Sequence, residues 1–241
     1  MRILITSPLR QDPKIFKEHR EALERLHLPE GVSVDYFWVV NNCPEVIPLL
    51  ADGEYVVADT PDMTYGKDEI DHKWSMDNMF FMSKLRTMCM HHALFYGYDQ
   101  VLFVDTDIIL QPDTLDWLIA ADKDIVCECM WTRTPSGDMW ANAWDFDQIG
   151  LCSDSYETWK TPGLYRVGMA GAITLIKRKV IAAGATYERI PNIMTALRGE
   201  DRHFCIRAAC LGFEIWLDTH APALHLYRES EYQDYMRKKE C

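Results

Sequence analysis

The chain has 241 residues, 48% of them apolar, and its 37 acidic and 25 basic side chains give a net charge of −12. This length can bury a sizeable core, and this apolar fraction excludes disorder as the default. A surface so acidic argues against broad contact with nucleic acid or anionic lipid, although it does not exclude a local basic groove. No apolar run is long enough to span a membrane, and the first residues turn polar too early for a signal peptide, so we expect a cytoplasmic protein.

The first sixty residues alternate strand-like apolar runs with one helix-like stretch. Residues 2–6, 34–40 and 54–58 predict strands, and small polar residues follow each of them. Residues 13–26 carry apolar positions at helical spacing. This order is typical of a doubly wound nucleotide-binding sheet, but neither Gly-x-Gly-x-x-Gly nor Gly-Lys-Ser/Thr is present, so a Rossmann dinucleotide site and a P-loop lose their main support.

The next forty residues contain one clear helix. Residues 62–80 show no periodicity, whereas residues 83–95 predict a helix that ends at Gly97, a residue suited to closing a helix. Two basic residues, Lys84 and Arg86, stand near the start of this helix. Either of them can be an ordinary solvated charge.

The most informative stretch is an apolar run that ends at two carboxylates. Residues 101–104 are continuously apolar, as in a strand buried on both faces, and Asp105 and Asp107 follow. Because side chains two apart on an extended backbone point the same way, both carboxylates can reach one ligand. Hard oxygen donors at the carboxyl end of a strand suit Mg²⁺ or Mn²⁺. The alternative is that one aspartate caps a turn and the other is solvated.

The following fifty residues become less regular. Residues 111–121 predict a helix and residues 124–130 a strand, whereas residues 131–159 show no clear periodicity. The irregular stretch combines four tryptophans with several acids, a composition that suits sugar binding. Packing of these tryptophans in the core is the simpler alternative.

Eight cysteines are spread along the chain, and none forms a Cys-x-x-Cys pair. Two of them, Cys127 and Cys129, fall within the predicted strand at residues 124–130. We therefore expect buried, reduced thiols rather than a zinc site or a disulfide framework. The eight lie at positions 43, 89, 127, 129, 152, 205, 210 and 241.

Two later stretches carry further candidate residues. Small residues around Gly171 begin a predicted strand and permit close approach by a ligand, although tight packing explains them as well. Glu200 and Asp201 open a predicted helix, where carboxylates favour the positive end of the helix dipole, and capping alone would explain them. His225 follows a predicted strand, and a lone histidine is often structural.

Three of these segments, in this order, resemble one family. Val-Leu-Phe-Val-Asp-Thr-Asp at residues 101–107 is similar to the Asp-x-Asp motif of GT-A glycosyltransferases. Glu-Asp-x-x-Phe-x-x-Arg-Ala at residues 200–208 matches the acidic helix start of family 2-like members, and His225 matches their late histidine. The resemblance implies an α/β three-layer sandwich with a mostly parallel central sheet.

The same resemblance implies a division of the chain. One GT-A domain would span residues 1–241, with a nucleotide-binding half at 1–110 and an acceptor and sugar half at 111–228. Residues 229–241 are strongly charged, and this charge, rather than the resemblance, predicts a surface helix or a lid for the tail.

The resemblance also implies roles for individual residues. Mn²⁺ or Mg²⁺ would be held by Asp107, His225 and Asp105, while Asp201 would deprotonate the acceptor hydroxyl. Contacts to a nucleotide-sugar donor would come from residues at the ends of strands and helices, namely Thr6, Ser7, Pro8, Asn41, Lys84, Arg86, Asp105, Thr106, Gly171 and Glu200. The first three of these can equally be a plain turn. Asn41 stands where many relatives have an acid, which leaves the base open, with UDP favoured.

The expected activity is therefore metal-dependent transfer of a sugar from a nucleotide-diphosphate sugar to an acceptor hydroxyl, with inversion favoured over retention. A nucleotidyltransferase is one alternative, since it too uses paired carboxylates. A non-catalytic nucleotide-sugar-binding module is the other. The sequence identifies neither the sugar nor the acceptor.

Overall fold

The computed structural model describes residues 1–61, 66–67, 72–73, 75–134, 136–146, 153–192 and 199–239. Within these ranges, every helix is too short or too polar to cross a membrane. The expectations for residues 62–65, Cys152 and Cys241 lie outside the described residues.

The described strands, in chain order, are β1 (Arg2–Leu9), β2 (Ser33–Val40), β3 (Tyr55–Val57), β4 (Gly66–Lys67), β5 (His72–Lys73), β6 (Gln100–Val104), β7 (Ile108–Ile109), β8 (Ile125–Arg133), β9 (Met139–Ala141), β10 (Ala143–Trp144), β11 (Leu164–Val167), β12 (Met169–Ala170), β13 (Ile173–Lys177) and β14 (Ile215–His225). The helices are α1 (Pro13–Glu24), α2 (Met76–Tyr96), α3 (Thr114–Ala120), α4 (Ser153–Trp159), α5 (Arg178–Ala182), α6 (Glu200–Cys210) and α7 (Glu229–Lys239), with a 3₁₀ helix η1 (Pro44–Leu49).

Ten of these strands form one mixed sheet. Its order is β11-β14-β8-β13-β6-β1-β2-β3, with β7 paired to β14 and β9 paired to β8. Along this path β13 and β11 run opposite to the other six strands. The predicted α/β architecture with a mostly parallel central sheet is confirmed. Strands from both predicted halves enter this sheet, and the division into halves stays a prediction.

Helices cover both faces of the sheet, because its strands are apolar on both sides. On one face α2, α5 and α6 pack on a core that includes Phe103, Cys127 and Phe204. On the other face α1 and α3 pack on a core that includes Phe16 and Leu102. Adjacent residues of β6 thus point into different cores, which explains its unbroken apolar run.

Several predicted boundaries were wrong. Strand β1 continues to Leu9 rather than ending at Thr6, and α2 begins at Met76, seven residues before its predicted start. Because the first turns of α2 carry apolar side chains on all sides, no periodicity marks where the helix begins. The hydroxyl of Ser75 caps it by accepting a hydrogen bond from the Asn78 N–H.

The stretch without predicted periodicity also contains regular elements. Strand β8 continues into it as far as Arg133, and β9, β10 and α4 follow. The strands β9 and β10 have three and two residues, which is too short for alternation to show. Of the six described cysteines, five are buried free thiols as predicted, but Cys210 is exposed.

A pair of buried carboxyl groups, which belongs to none of the motifs above, lies within the sheet. Glu128 of β8 stands beside Asp218 of β14 in register, and both side chains are buried. The Asp218 carboxylate accepts a hydrogen bond from the backbone N–H of His220 at 2.9 Å, whereas Oε2 of Glu128 makes no hydrogen bond of ordinary geometry within the described ranges. Burial raises the pKa of Glu128 to about 9, and the charge of Asp218 adds to the increase.

We predict that Glu128→Gln changes the pH dependence of stability. A carboxyl whose pKa is raised on folding contributes stability at low pH, which is lost as pH rises from about 4.5 towards about 9. The amide cannot ionise, so the variant should gain stability over the parent by about 1.4 kcal/mol per pH unit across this range. Urea unfolding of both proteins at pH 5.5 and 8.5 measures the effect.

The matched control is Glu214→Gln, which removes an exposed carboxylate that pairs with Arg166. It should change the free energy of unfolding by the same small amount at both pH values. Parallel pH profiles for Glu128→Gln and the parent would mean that Glu128 is ionised in the fold.

Candidate active site

The Asp-x-Asp segment forms a tight turn at the carboxyl edge of the sheet. The Ile108 N–H donates to the carbonyl of Asp105 at 3.1 Å, which closes the turn directly after β6. The Asp105 N–H donates to the carbonyl of Ala172 at 2.9 Å, so the loop between β12 and β13 supports the turn. Thr106, between the two aspartates, is buried.

The end of β14 brings His225 to Asp107. His225 pairs with Ile108 across the antiparallel contact of β14 with β7, and its Nε2 lies 3.6 Å from Oδ2 of Asp107. Its Nδ1 lies 2.9 Å from the hydroxyl oxygen of Thr132. If Nδ1 donates to that hydroxyl, the lone pair of Nε2 faces Asp107, which is the tautomer a metal ligand requires. The structure therefore brings together two of the three predicted metal ligands.

These two side chains fit part of a metal shell. Within the described residues, no group of three or more His, Cys, Asp or Glu side chains is arranged to hold a metal ion. Asp105, the third predicted ligand, instead accepts a hydrogen bond from Arg86. One carboxylate and one imidazole suit an ion that takes its remaining ligands from phosphate oxygens and water, as Mg²⁺ commonly does and Mn²⁺ can.

Arg86 lies at the centre of the acidic residues and is 4% exposed. Its Nη2 donates to Oδ1 of Asp105 at 2.6 Å and its Nε donates to Oε1 of Glu200 at 3.1 Å. Burial lowers the pKa of Arg86, but the surrounding carboxylates of Asp105, Asp201 and Glu200 outweigh it and hold the pKa well above its ordinary value. The other candidate on α2, Lys84, is exposed and lies over the ring of Phe81.

Asp201 follows Glu200 in the first turn of α6 and packs against Gly171. A Cβ atom at Gly171 would lie 2.4 Å from Oδ2 of Asp201, so any larger residue would collide with the carboxylate. Burial raises the pKa of Asp201 to about 8, Glu200 and Asp105 add to the increase, and Arg86 opposes it. A carboxylate with such a pKa is suited to accept a proton near neutral pH.

Asn142 positions the loop that carries Gly171, a role that no sequence motif indicates. Its buried side chain donates to the carbonyls of Gly171 at 2.7 Å and Glu128 at 3.0 Å, and accepts from the Met130 N–H at 2.9 Å. The residue after Gly171, Ala172, has a left-handed φ of 69°. A single asparagine within an irregular stretch carries no motif, so only the fold could identify it.

Other predicted donor-binding residues lie along the same edge of the sheet but are engaged in the fold. Thr6, Ser7 and Pro8 lie within β1 and are buried, and the Thr6 hydroxyl donates to the carbonyl of Phe37 at 2.6 Å. The amide of Asn41 donates to the carbonyl of Ala58 at 2.8 Å. These side chains shape the end of the sheet, and their contact with a nucleoside stays a prediction.

The overall fold is similar to solved glycosyltransferases. It matches GalNAc-T7 with UDP, GalNAc and Mn²⁺ at a TM-score of 0.55 and 12% identity, over 95% of this chain and 43% of that chain. It matches the mannosyltransferase PcManGT from Pyrobaculum calidifontis, in complex with GDP-Man and Mn²⁺, at 0.53 and 13%, over 99% and 60%. The chain thus spans about half the length of these two proteins. No protein-family model matches the chain.

A further structural likeness is to a different kind of transferase. The inositol-1-phosphate CTP transferase from T. maritima matches at a TM-score of 0.50 and 8% identity, over 98% of this chain and 93% of that chain. Together with the sheet order and the carboxyl-edge site, the glycosyltransferase matches show that the chain has the GT-A fold. The predicted fold is confirmed.

Proposed function

We propose that the protein is a metal-dependent glycosyltransferase that moves a sugar from a nucleotide-diphosphate sugar to an acceptor hydroxyl. The observation that carries this proposal is the convergence of two groups at one edge of the sheet. One group is Asp107 facing His225, and the other is the cluster of Asp105, Glu200 and Asp201 around Arg86. A cytoplasmic location stays a prediction.

The residues divide the chemistry between them. Asp107 and His225 would hold Mn²⁺ or Mg²⁺, which when bound stabilises negative charge on a departing diphosphate as a Lewis acid. Arg86 keeps Asp105 and Glu200 in place and supplies one fixed positive charge beside them. Asp201 would accept the proton of the acceptor hydroxyl, a contribution of about 10²–10⁴-fold for a positioned base.

We favour a UDP-sugar as donor and inversion at the anomeric carbon. The first choice is supported by UDP in the GalNAc-T7 structure, although GDP-Man in the mannosyltransferase shows that this fold accepts another base. The second follows from Asp201 as a base, because a base-activated hydroxyl attacks opposite the leaving group. Thr6, Ser7, Pro8, Asn41, Lys84 and Thr106 remain proposed donor contacts.

A nucleotidyltransferase is the second candidate, since the fold also resembles the inositol-1-phosphate CTP transferase. It would release pyrophosphate rather than a nucleoside diphosphate. Such enzymes usually have a Gly-rich basic loop after the first strand, whereas here residues 6–9 continue β1. The raised pKa of Asp201, which suits a group that accepts a proton from a hydroxyl, favours sugar transfer.

We predict Mn²⁺-dependent release of nucleoside diphosphate from one sugar donor. Purified protein would be incubated with UDP-, GDP-, ADP- and dTDP-sugars, with Mn²⁺ or with chelator, and the released nucleotide quantified. Asp107→Ala should abolish release because it removes the carboxylate that faces His225. The control is Asp122→Ala, which changes an exposed aspartate that pairs with Lys177.

Three outcomes of this assay separate the candidates. Pyrophosphate release from a nucleoside triphosphate would favour the nucleotidyltransferase. Binding of a donor without turnover, in the presence of varied acceptors, would favour a binding module. Activity that survives in Asp107→Ala or in chelator would contradict the metal role.

We also predict that the rate rises with pH below about 8. Asp201 accepts a proton only when ionised, and its pKa is raised to about 8, so the acidic limb should change about tenfold per pH unit. Asp201→Asn should lose about 10²–10⁴-fold in kcat and should lose the acidic limb, while binding of the identified donor persists. Rates with the identified donor from pH 5.5 to 9 test this. An unchanged limb in Asp201→Asn would exclude Asp201 as the base.

A further inference from the structure

Arg202, the residue after the proposed base, is a half-buried cation without an acidic partner in the described part of the chain. Its guanidinium carbon lies 5.3 Å from the ring centroid of Trp144 in β10. Among the described residues it makes no ion pair, although acidic residues outnumber basic ones by 37 to 25 in the whole chain. An arginine on an aromatic ring has its planar fork preorganised for a carboxylate or a phosphate.

A comparison with Arg86 shows that the nearby acids are already engaged. Arg86 donates hydrogen bonds to Asp105 and Glu200, and the charge of Asp201 also raises the pKa of Arg86. The pKa of Arg202 is lowered, because burial is not offset by a nearby carboxylate. Two arginines therefore lie near one acidic helix start, and among the residues that the structure describes only Arg86 is paired with carboxylates.

Arg202 leaves α6 on a different side from the ion pair of Glu200 and Arg86. Residues two apart on a helix point about 200° apart, so Arg202 leaves α6 on the side away from Glu200 and its partner Arg86. Trp144 pairs with Met169 of β12, and β12 ends just before Gly171, which contacts Asp201. The guanidinium thus belongs to the side of α6 that faces β10 and β12.

We propose that Arg202, held over Trp144, binds an anionic group of the acceptor, a phosphate or a carboxylate close to the hydroxyl that Asp201 deprotonates. This inference rests on the proposed glycosyltransferase function and specifies its acceptor class. A bidentate, charge-assisted contact at this place would orient the acceptor and fix which hydroxyl reaches Asp201. Trp144 would keep the guanidinium from turning towards solvent.

The test compares matched neutral and anionic acceptors with the donor identified in the panel. Glycerol is compared with glycerol 3-phosphate, and glucose is compared with glucose 6-phosphate and with glucuronate. For each acceptor, kcat/KM is measured from nucleotide release after subtraction of the release that occurs without an acceptor. Anionic acceptors should be preferred by roughly 10- to 100-fold, the value of a hydrogen bond to a charged group. Preference for the phosphates or for glucuronate distinguishes the two anions.

Variants of two arginines complete the test. Arg202→Gln should remove the preference by raising the acceptor KM, and Arg202→Lys should keep part of it. The matched control is Arg166→Gln, because Arg166 also lies over an aromatic ring, that of Phe146, but is already paired with Glu214. It should keep the full preference.

A second measurement needs no acceptor turnover. In the presence of chelator, inorganic phosphate should raise the melting temperature of the parent and of Arg166→Gln, and raise it less in Arg202→Gln. Equal shifts in all three proteins would overturn the proposal, as would equal kcat/KM for neutral and anionic acceptors while donor release persists. Absence of both donor binding and donor release would overturn the glycosyltransferase function itself.

Discussion

The arrangement of the site depends on one buried cation. Asp105, at the end of β6, and Glu200, at the start of α6, are 95 positions apart in the sequence, and both accept hydrogen bonds from Arg86. Without that guanidinium, these carboxylates and Asp201 would repel one another in a poorly solvated place. Arg86 therefore joins the segment that follows β6 to the helix that carries the proposed base.

Backbone contacts hold the other parts of the site in place around Arg86. The carbonyl of Ala172 accepts from the Asp105 N–H, and the neighbouring Gly171 leaves the space that Asp201 fills. Asn142, between β9 and β10, ties the same loop to β8 by donating to the carbonyls of Gly171 and Glu128. On the other side, the pairing of β14 with β7 brings His225 to Asp107. One loop and one strand end thus position both proposed metal ligands and the proposed base.

The positions of site residues could be predicted from the sequence where a local motif, such as a strand followed by carboxylates, determines them. An apolar strand that ends in Asp-x-Asp fixes where Asp105 and Asp107 lie, because both faces of β6 are buried. The sequence could not distinguish Arg86 from Lys84, since which of two helical positions faces inward depends on where α2 packs. Nor could it identify Asn142, whose hydrogen-bond partners lie on β8 and on the loop between β12 and β13, both distant from it in the sequence or without a motif of their own. The end of β1 was predicted too early, at Thr6, because the strand continues to Leu9 after its residues cease to be continuously apolar.

The measurement that tests this account most directly is the stability and donor turnover of Arg86→Met. Removing one partner of a buried charge network leaves carboxylates uncompensated, so the free energy of unfolding at pH 8 should fall by about 3–5 kcal/mol, and donor turnover should be lost. Arg166→Gln, which breaks an exposed ion pair with Glu214, should cost less than about 1 kcal/mol. Equal, small losses in both variants, with turnover retained in Arg86→Met, would contradict the role of Arg86.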